Sequence, residues 1–163
     1  MHIFFPLTQH KERKLVHIPQ DVMYSVVVDV AKYNRFVPYC TRSVVTHETE
    51  THADAKLSVG FGPVKEHYNS YLTFEKPDFV IADCTDGRLF NHLKCTWKFS
   101  PTKSPNSSVI DFHVMFEFKS SVYNRLATMF FEKVVKTMVS AFVKEAHKRN
   151  AALKLARVRA GHH

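Results

Sequence analysis

A change of hydrophobic period along the chain constrains the fold more than any other sequence feature. From Ser43 to Phe118 apolar and polar residues alternate, and Gly62-Pro63 and Asp86-Gly87 predict tight turns between successive runs. Alternation of this kind is typical of antiparallel strands with one buried face and one solvent-exposed face. From Ser121 to Arg149 the apolar residues recur with the period of a helix that would be about 40 Å long. An antiparallel sheet followed by one long helix is therefore predicted.

Two short helices are predicted between the first strand and the rest of the sheet. His10–Ile18 has the pattern of an edge strand, and Pro19 lies where a helix begins. Lys32–Phe36 is interpreted as a second short helix, which Pro38 ends. This order of elements predicts an α+β fold, in which a curved antiparallel sheet wraps around a long C-terminal helix.

The inner face of the sheet and the apolar face of the helix are both rich in large side chains. The chain has 14 phenylalanines among its 163 residues. Two such faces either close into a core or leave an apolar tunnel that holds a ligand. Periodicity alone favours the closed core, because large apolar residues are usually buried.

Positive charge is concentrated at the end of the chain. The formal net charge is +8, and five of these charges lie in the last 20 residues, from Lys144 onward. A basic end suits an anionic partner, either a phospholipid surface or a nucleic acid. Composition alone favours a plainer interpretation, a solvated helix end that keeps the protein soluble.

The sequence contains no motif for catalysis or for metal binding. The three cysteines, Cys40, Cys84 and Cys95, form no CxxC pair, so we expect a reducing compartment and no disulfide framework. The histidines lack the spacing of metal ligands, and neither a nucleophile elbow nor a glycine-rich phosphate loop occurs. No apolar run is long enough to span a membrane, and no transit segment rich in arginine and serine is visible.

Several segments resemble one known family. Tyr33–Cys40, with the sequence YNRFVPYC, resembles the YxxFVPWC motif of the coenzyme Q-binding, START-like proteins in the polyketide cyclase and lipid-transport superfamily. Cys84–Leu93, with the sequence CTDGRLFNHL, is similar to the strand–turn–strand of that family, and WKFSP follows from Trp97. Leu126–Phe131 and Val134–Phe142 resemble its long C-terminal helix. Tyr39 stands where tryptophan is usual, so a ligand contact there is expected to be altered.

The resemblance implies a helix-grip, START-like domain over residues 10–150 and a basic tail over residues 151–163, whose last three residues resemble the remnant of an affinity tag. It implies that ubiquinone, a polyisoprenoid quinone, is bound in a hydrophobic tunnel between the sheet and the long helix. The implied role is that of a lipid carrier or chaperone that is not an enzyme and supports respiration and quinone synthesis. The implied location is peripheral, on the matrix side of the mitochondrial inner membrane, near respiratory or quinone-biosynthesis complexes. With the resemblance, an open tunnel is expected rather than a closed core.

The predicted ligand-binding residues are apolar side chains of the strands, the long helix and the segment around Pro38. They are Phe36, Val37, Pro38, Tyr39, Leu57, Val59, Phe61, Trp97, Phe112, Phe116, Phe118, Met129, Phe130, Val134, Met138 and Phe142. Membrane docking is predicted from a shallow apolar turn and a basic patch, which together suffice for reversible binding. The docking residues are Phe61, Pro63, Val64, Lys148, Arg149 and Lys154.

Two other functions are alternatives. Bacterial members of the superfamily resemble ribosome-association toxins, and the basic end could contact RNA phosphates. The lack of an RNP motif and of a GXXG loop disfavours nucleic acid as a partner. A small-molecule cyclase would need an acid–base pair inside the cavity, and the inward-facing strand positions are interpreted as supplying none.

Overall fold

The computed structural model describes residues 7–86 and 89–161, except for the side chains of Phe61, residues 126–128 and Phe130. The strands are β1 (Thr8–Val16), β2 (Cys40–Glu48), β3 (His52–Phe61), β4 (Val64–Glu75), β5 (Phe79–Cys84), β6 (Phe90–Pro101) and β7 (Ser108–Phe118). The helices are α1 (Gln20–Val28), α2 (Tyr33–Phe36) and α3 (Ser121–Ala160). A single 3₁₀ turn, Val30–Lys32, directly precedes α2.

The seven strands form one antiparallel sheet in the order β1-β7-β6-β5-β4-β3-β2. The predicted α+β, helix-grip fold is therefore confirmed. Alternation decides the faces as expected: in β7, Ile110, Phe112 and Val114 point inward and are buried. In β6, Lys94 and Lys98 lie on the exposed face.

A tight turn joins β3 to β4 at one end of the sheet. Phe61 pairs with Val64, so Gly62 and Pro63 alone form the turn, as predicted. Gly62 has a φ of 53°, which glycine adopts without steric cost at the first central position of a hairpin turn. The other predicted turn, at Asp86-Gly87, lies partly outside the described residues.

Helix α3 begins where the sequence predicted and ends later. The Ser120 side chain accepts a hydrogen bond from the Tyr123 amide at 3.5 Å and caps the helix start. The helix continues to Ala160, beyond the predicted end at Arg149, because residues 151–160 are mostly alanine, leucine, lysine and arginine, which favour helix. The segment expected as a separate tail is thus the exposed end of a 40-residue helix. None of the described helices is both long and apolar enough to cross a membrane.

Helix α3 is held in place near its start and again at Arg149. Near its start, the Asn124 side chain donates to the Phe118 carbonyl at 2.8 Å and accepts from the Phe118 amide at 3.0 Å. Further along, Arg149 forms ion pairs with Asp29 at 3.3 Å and with Glu145 at 3.4 Å. The Asn124 contacts join the helix to the end of β7, and the Arg149–Asp29 ion pair joins it to the segment that follows α1.

Candidate ligand-binding cavity

A cavity of about 280 Å³ lies between the inner face of the sheet and α3. This volume is near the lower end of the range for small-molecule sites, about 300–1,000 Å³. Strands β2 to β7 form one wall, the segment Val37–Cys40 contributes to a second, and α3 covers the third side. The described residues that line the cavity are overwhelmingly apolar, and none of them carries a charge at neutral pH.

Aromatic rings close one end of the cavity. The Phe142 ring of α3 lies 5.1 Å from the Tyr33 ring and 4.9 Å from the Trp97 ring, and Trp97 lies 4.5 Å from Phe112. The Tyr33 hydroxyl donates a hydrogen bond to the Val27 carbonyl oxygen. We call Tyr33, Trp97, Phe112 and Phe142 the inner ring cluster. Its ring pairs have the spacing of favourable aromatic contacts, so it holds the helix against the sheet at this end.

A second group of rings surrounds the other end. Phe116 lies 4.7 Å from Phe131 of α3, and Phe118 lies 4.7 Å from Phe90 and 5.8 Å from Tyr123. We call these five residues the outer ring cluster. Most of them, like Pro38 and Tyr39 across the cavity, are only partly buried. The mouth of the cavity is therefore at this end.

One hydrogen bond spans the mouth between the helix and the sheet. The Tyr123 hydroxyl donates to Glu66 Oε1 at 3.3 Å. Glu66 lies between Val64 and Tyr68 on the inner face of β4, a carboxylate that the sequence analysis did not place there. Desolvation and, to a smaller extent, the nearby Glu66 carboxylate raise the pKa of Tyr123, so Tyr123 stays protonated and remains a donor.

The few polar groups on the wall are held neutral. Burial, together with the smaller effect of the Asp83 carboxylate, raises the pKa of Cys95 to about 12. Burial also raises the pKa of Cys40 and, to a greater extent, that of Tyr68. The thiols and the phenol therefore stay protonated at neutral pH, and the thiols are poor nucleophiles in that state.

Most of the residues predicted to bind ligand lie on the cavity wall. They are Val37, Pro38, Tyr39, Leu57, Val59, Trp97, Phe112, Phe116, Phe118, Val134, Met138 and Phe142. The structure brings these side chains together, but the binding role assigned to them stays a prediction. Phe61 and Phe130 were also predicted, and their side chains lie outside the described residues.

Two predicted tunnel residues are not on the wall. Met129 is 73% exposed, because it is nine residues from Met138 and so lies about 180° around the helix from it. Phe36 lies behind the wall, where its ring meets Tyr33 at 5.9 Å and Phe142 at 5.3 Å edge to face.

Sequence reasoning missed other lining residues. They include Val30, Tyr33, Cys40, Ser70, Leu72, Val80, Ala82, Phe90, Leu93, Cys95, Val114, Phe131 and Val135. Strand alternation had already put many of them on the inner face, for example Ala82 with Val80 and Cys95 with Trp97. Extending the predicted wall to every inward position of each strand would have found them.

The predicted docking residues do not form one surface. Val64 is 7% exposed and lines the cavity, because the tight turn directs its side chain inward. Arg149 is occupied by its ion pairs with Asp29 and Glu145. Pro63, Lys148 and Lys154 are exposed. However, the turn and the basic end of α3 are far apart. Tyr123, which contacts β4 near the turn, is about 46 Å along α3 from Lys154 at 1.5 Å per residue.

No group of three histidine, cysteine or acidic side chains within residues 7–86 and 89–161 is arranged to hold a metal ion. The curved antiparallel sheet wraps around the long helix and encloses an apolar cavity with it, which defines the class as the START-like, helix-grip fold. Over residues 16–143 the chain matches the family described as polyketide cyclase / dehydrase and lipid transport, and it belongs to that family.

The similar proteins narrow the class further. The chain is 44% identical over 140 residues to the mitochondrial coenzyme Q-binding protein COQ10 homolog B of Xenopus laevis. The aligned residues make up 85% of this chain and 57% of that protein. It is 30% identical over 142 residues to the mitochondrial coenzyme Q-binding protein COQ10 of Saccharomyces cerevisiae, covering 83% and 69%. The resemblance seen in the sequence is thus confirmed. The chain spans little more than half the length of the Xenopus protein.

Two more distant similarities complete the comparison. The ribosome association toxin RatA of Escherichia coli is 28% identical over 146 residues, which cover 90% of each chain. Among solved structures, the Zhui aromatase/cyclase of Streptomyces sp. R1128 superposes with a TM-score of 0.77 at 13% identity, covering 88% of this chain and 96% of that one. At this identity the match shows the fold alone.

Proposed function

We propose that this protein binds coenzyme Q, a polyisoprenoid quinone, in the cavity between the sheet and α3. The observation that carries the proposal is an uncharged, almost wholly apolar cavity in a chain 44% identical to a coenzyme Q-binding protein. Moving an isoprenoid chain from water into an apolar cavity is favourable by about 0.8 kcal/mol of free energy for each buried CH₂ group.

The proposed role is that of a non-enzymatic carrier, which presents the quinone to respiratory or quinone-biosynthesis enzymes. The neutral thiols on the wall support this role, because only thiolates add readily to electrophiles such as quinones. The relatives at 30–44% identity are named as binding proteins. Their names also include the word mitochondrial, which supports a location in that organelle. The matrix side of the inner membrane is where we expect this protein to work.

Trp97 provides the test of ligand binding. It is the chain's single tryptophan and lines the cavity, so a bound quinone is expected to quench its fluorescence. We expect saturable quenching by a short-chain ubiquinone and an isoprenoid quinone in lipid extracts of the purified protein, detected by mass spectrometry. Extracts without quinone or any other isoprenoid, together with the absence of saturable quenching, would refute the proposal.

The ribosome-binding alternative has weaker support. RatA is 28% identical to the chain, against 44% for the coenzyme Q-binding relative. Binding of RNA typically uses aromatic side chains on an exposed basic surface, whereas Phe112, Phe116 and Trp97 are buried against the cavity. A gel shift with ribosomal RNA at moderate salt distinguishes the two, and we expect none.

We propose that the protein docks on anionic membranes through the outer side of α3. This side carries exposed Arg125, Lys133, Lys136 and Lys144, and Glu132 is the acidic residue among them. Exposed Met129 adds an apolar side chain to this side of the helix. Clusters of basic residues with a shallow apolar contact bind anionic lipid surfaces reversibly.

Two matched triple variants test the docking surface. The helix variant replaces three exposed lysines of α3, Lys133, Lys136 and Lys144, by Ser. The sheet variant replaces three exposed lysines on the outer face of the sheet, Lys11, Lys94 and Lys98, by Ser. Both variants lose the same charge. We expect only the helix variant to lose sedimentation with cardiolipin-containing vesicles, and we expect high salt to release the wild type. Equal losses in both variants would contradict a docking surface on α3.

A further inference from the structure

The cavity wall has five hydroxyl groups, and most of them have partners. The Tyr33 hydroxyl donates to the Val27 carbonyl, and the Tyr123 hydroxyl donates to Glu66. Tyr39 also has a partner. The remaining hydroxyls belong to Tyr68 and Ser70, two residues apart on the inner face of β4.

The hydroxyls of Tyr68 and Ser70 form no hydrogen bond with any part of the chain that the structure describes. Every fully enclosed side-chain oxygen or nitrogen among these residues has a partner. A hydroxyl without one must therefore border open space, and the open space at both residues is the cavity. The Tyr68 ring itself is fixed, since it packs edge to face against Phe90 at 5.3 Å.

We propose that Tyr68, assisted by Ser70, donates the hydrogen bond that anchors the polar head of the ligand. This inference rests on the proposed function and specifies the ligand's orientation. A quinone carbonyl only accepts hydrogen bonds, and these two hydroxyls are the uncommitted donors on an otherwise apolar wall. Burial, aided by the neighbouring Cys95, raises the pKa of Tyr68, so the phenol keeps its proton and remains a donor.

The depth of the anchor sets the direction of binding. Tyr68 is four residues beyond Val64, which places it about 13 Å along β4 from the turn at the mouth. A head group at Tyr68 therefore lies beside Phe90, at the inner border of the outer ring cluster, and the isoprenoid chain leaves between the rings of that cluster. A cavity of about 280 Å³ encloses the ring and the first part of such a chain, and the rest leaves through the mouth.

The test compares two phenol deletions on the same wall. Tyr68→Phe removes an unpaired hydroxyl, whereas Tyr33→Phe removes one that is already bonded to Val27. The ligands are decylubiquinone and decylbenzene, which share a tail and differ in ring oxygens. Trp97 quenching measures the quinone, and its reversal by competition measures the hydrocarbon.

We expect Tyr68→Phe to weaken decylubiquinone binding about tenfold, to leave decylbenzene binding unchanged and to keep the wild-type melting temperature. We expect Tyr33→Phe to lower the melting temperature without changing the preference for the quinone. If Tyr68→Phe does not fold, Ser70→Ala tests the same anchor, with a smaller loss of the same preference.

Each further outcome decides the question. Wild-type binding of decylubiquinone that is unchanged in both Tyr68→Phe and Ser70→Ala would overturn the anchor and leave the proposed function intact. Failure of the wild type to bind either ligand would overturn the proposed function, and the anchor with it. Equal loss of quinone and hydrocarbon binding in Tyr68→Phe would assign the residue a packing role instead.

Discussion

Filling the cavity from its wall should strengthen the fold and weaken ligand binding. Ala82 lines the cavity on β5, next to Leu72 of β4 and Cys95 of β6. Ala82→Leu adds three carbon atoms to this space. At about 0.8 kcal/mol per buried CH₂, their burial contributes at most about 2.4 kcal/mol, and we expect a gain of about 1–2 kcal/mol in the free energy of unfolding. The melting temperature should rise by a few degrees.

The same atoms occupy room that the ligand uses. If three methylene-sized groups of the ligand are excluded, binding weakens by about 2.4 kcal/mol, which is about fiftyfold in Kd. Titration of Trp97 fluorescence with decylubiquinone measures this loss, and chemical denaturation measures the gain in stability.

The control is the same substitution in the closed part of the core. Ala55 on β3 is 1% exposed and does not line the cavity. Ala55→Leu must displace packed neighbours, so we expect a loss of about 1–3 kcal/mol in the free energy of unfolding. The reasoning fails if Ala82→Leu destabilises the protein as much as Ala55→Leu does and binding is unaffected.

Three more substitutions or treatments test other parts of the site. Phe142→Ala removes a ring that is only 2% exposed from the inner ring cluster, so it should lower the free energy of unfolding by about 3–5 kcal/mol. Urea denaturation measures this loss, and a loss below about 1 kcal/mol would contradict the packing role of Phe142. Tyr123→Phe removes the hydrogen bond to Glu66, so stopped-flow fluorescence should show faster quinone release, and an unchanged release rate would contradict a mouth at this end. Iodoacetamide at pH 8 should label native Cys95 very slowly, since a pKa of about 12 against 9.0 for a free thiol lowers the thiolate fraction about a thousandfold. Rapid labelling of the native protein, detected by mass spectrometry, would refute the burial of Cys95. Because the pKa of Cys95 is higher in the folded than in the unfolded protein, this thiol should also lower the free energy of unfolding as the pH rises from 9 to 12.

The strands could be interpreted from sequence because a period of two leaves each residue only one of two faces. Trp97, Phe112 and Leu57 were placed inward on this ground, and all three line the cavity. The same alternation puts Tyr68 on the inner face of β4, but alternation cannot show whether a hydroxyl already has a partner. That depends on groups brought together by the fold, such as the Val27 carbonyl at Tyr33.

The helix was harder to interpret because small errors of phase move a side chain out of the wall. Met129 and Met138 were both predicted to bind ligand, yet they lie on opposite sides of α3. Arg149 was likewise predicted to dock on the membrane, whereas the structure pairs it with Asp29. Sequence reasoning missed this ion pair because Asp29 is distant in sequence and no local pattern reveals it.

The position of the cavity follows from side-chain size and strand register. One row across the sheet pairs Leu72 with Ala82, Ala82 with Cys95, and Cys95 with Val114. The next row toward the closed end pairs Trp97 with Phe112, and the Trp97 ring meets Phe142 of the helix at 4.9 Å. Small residues therefore lie in the middle of the sheet and large rings lie beyond them. Because these large rings hold the helix away from the sheet, the row of small residues is not filled by collapse, and space for a ligand remains above it.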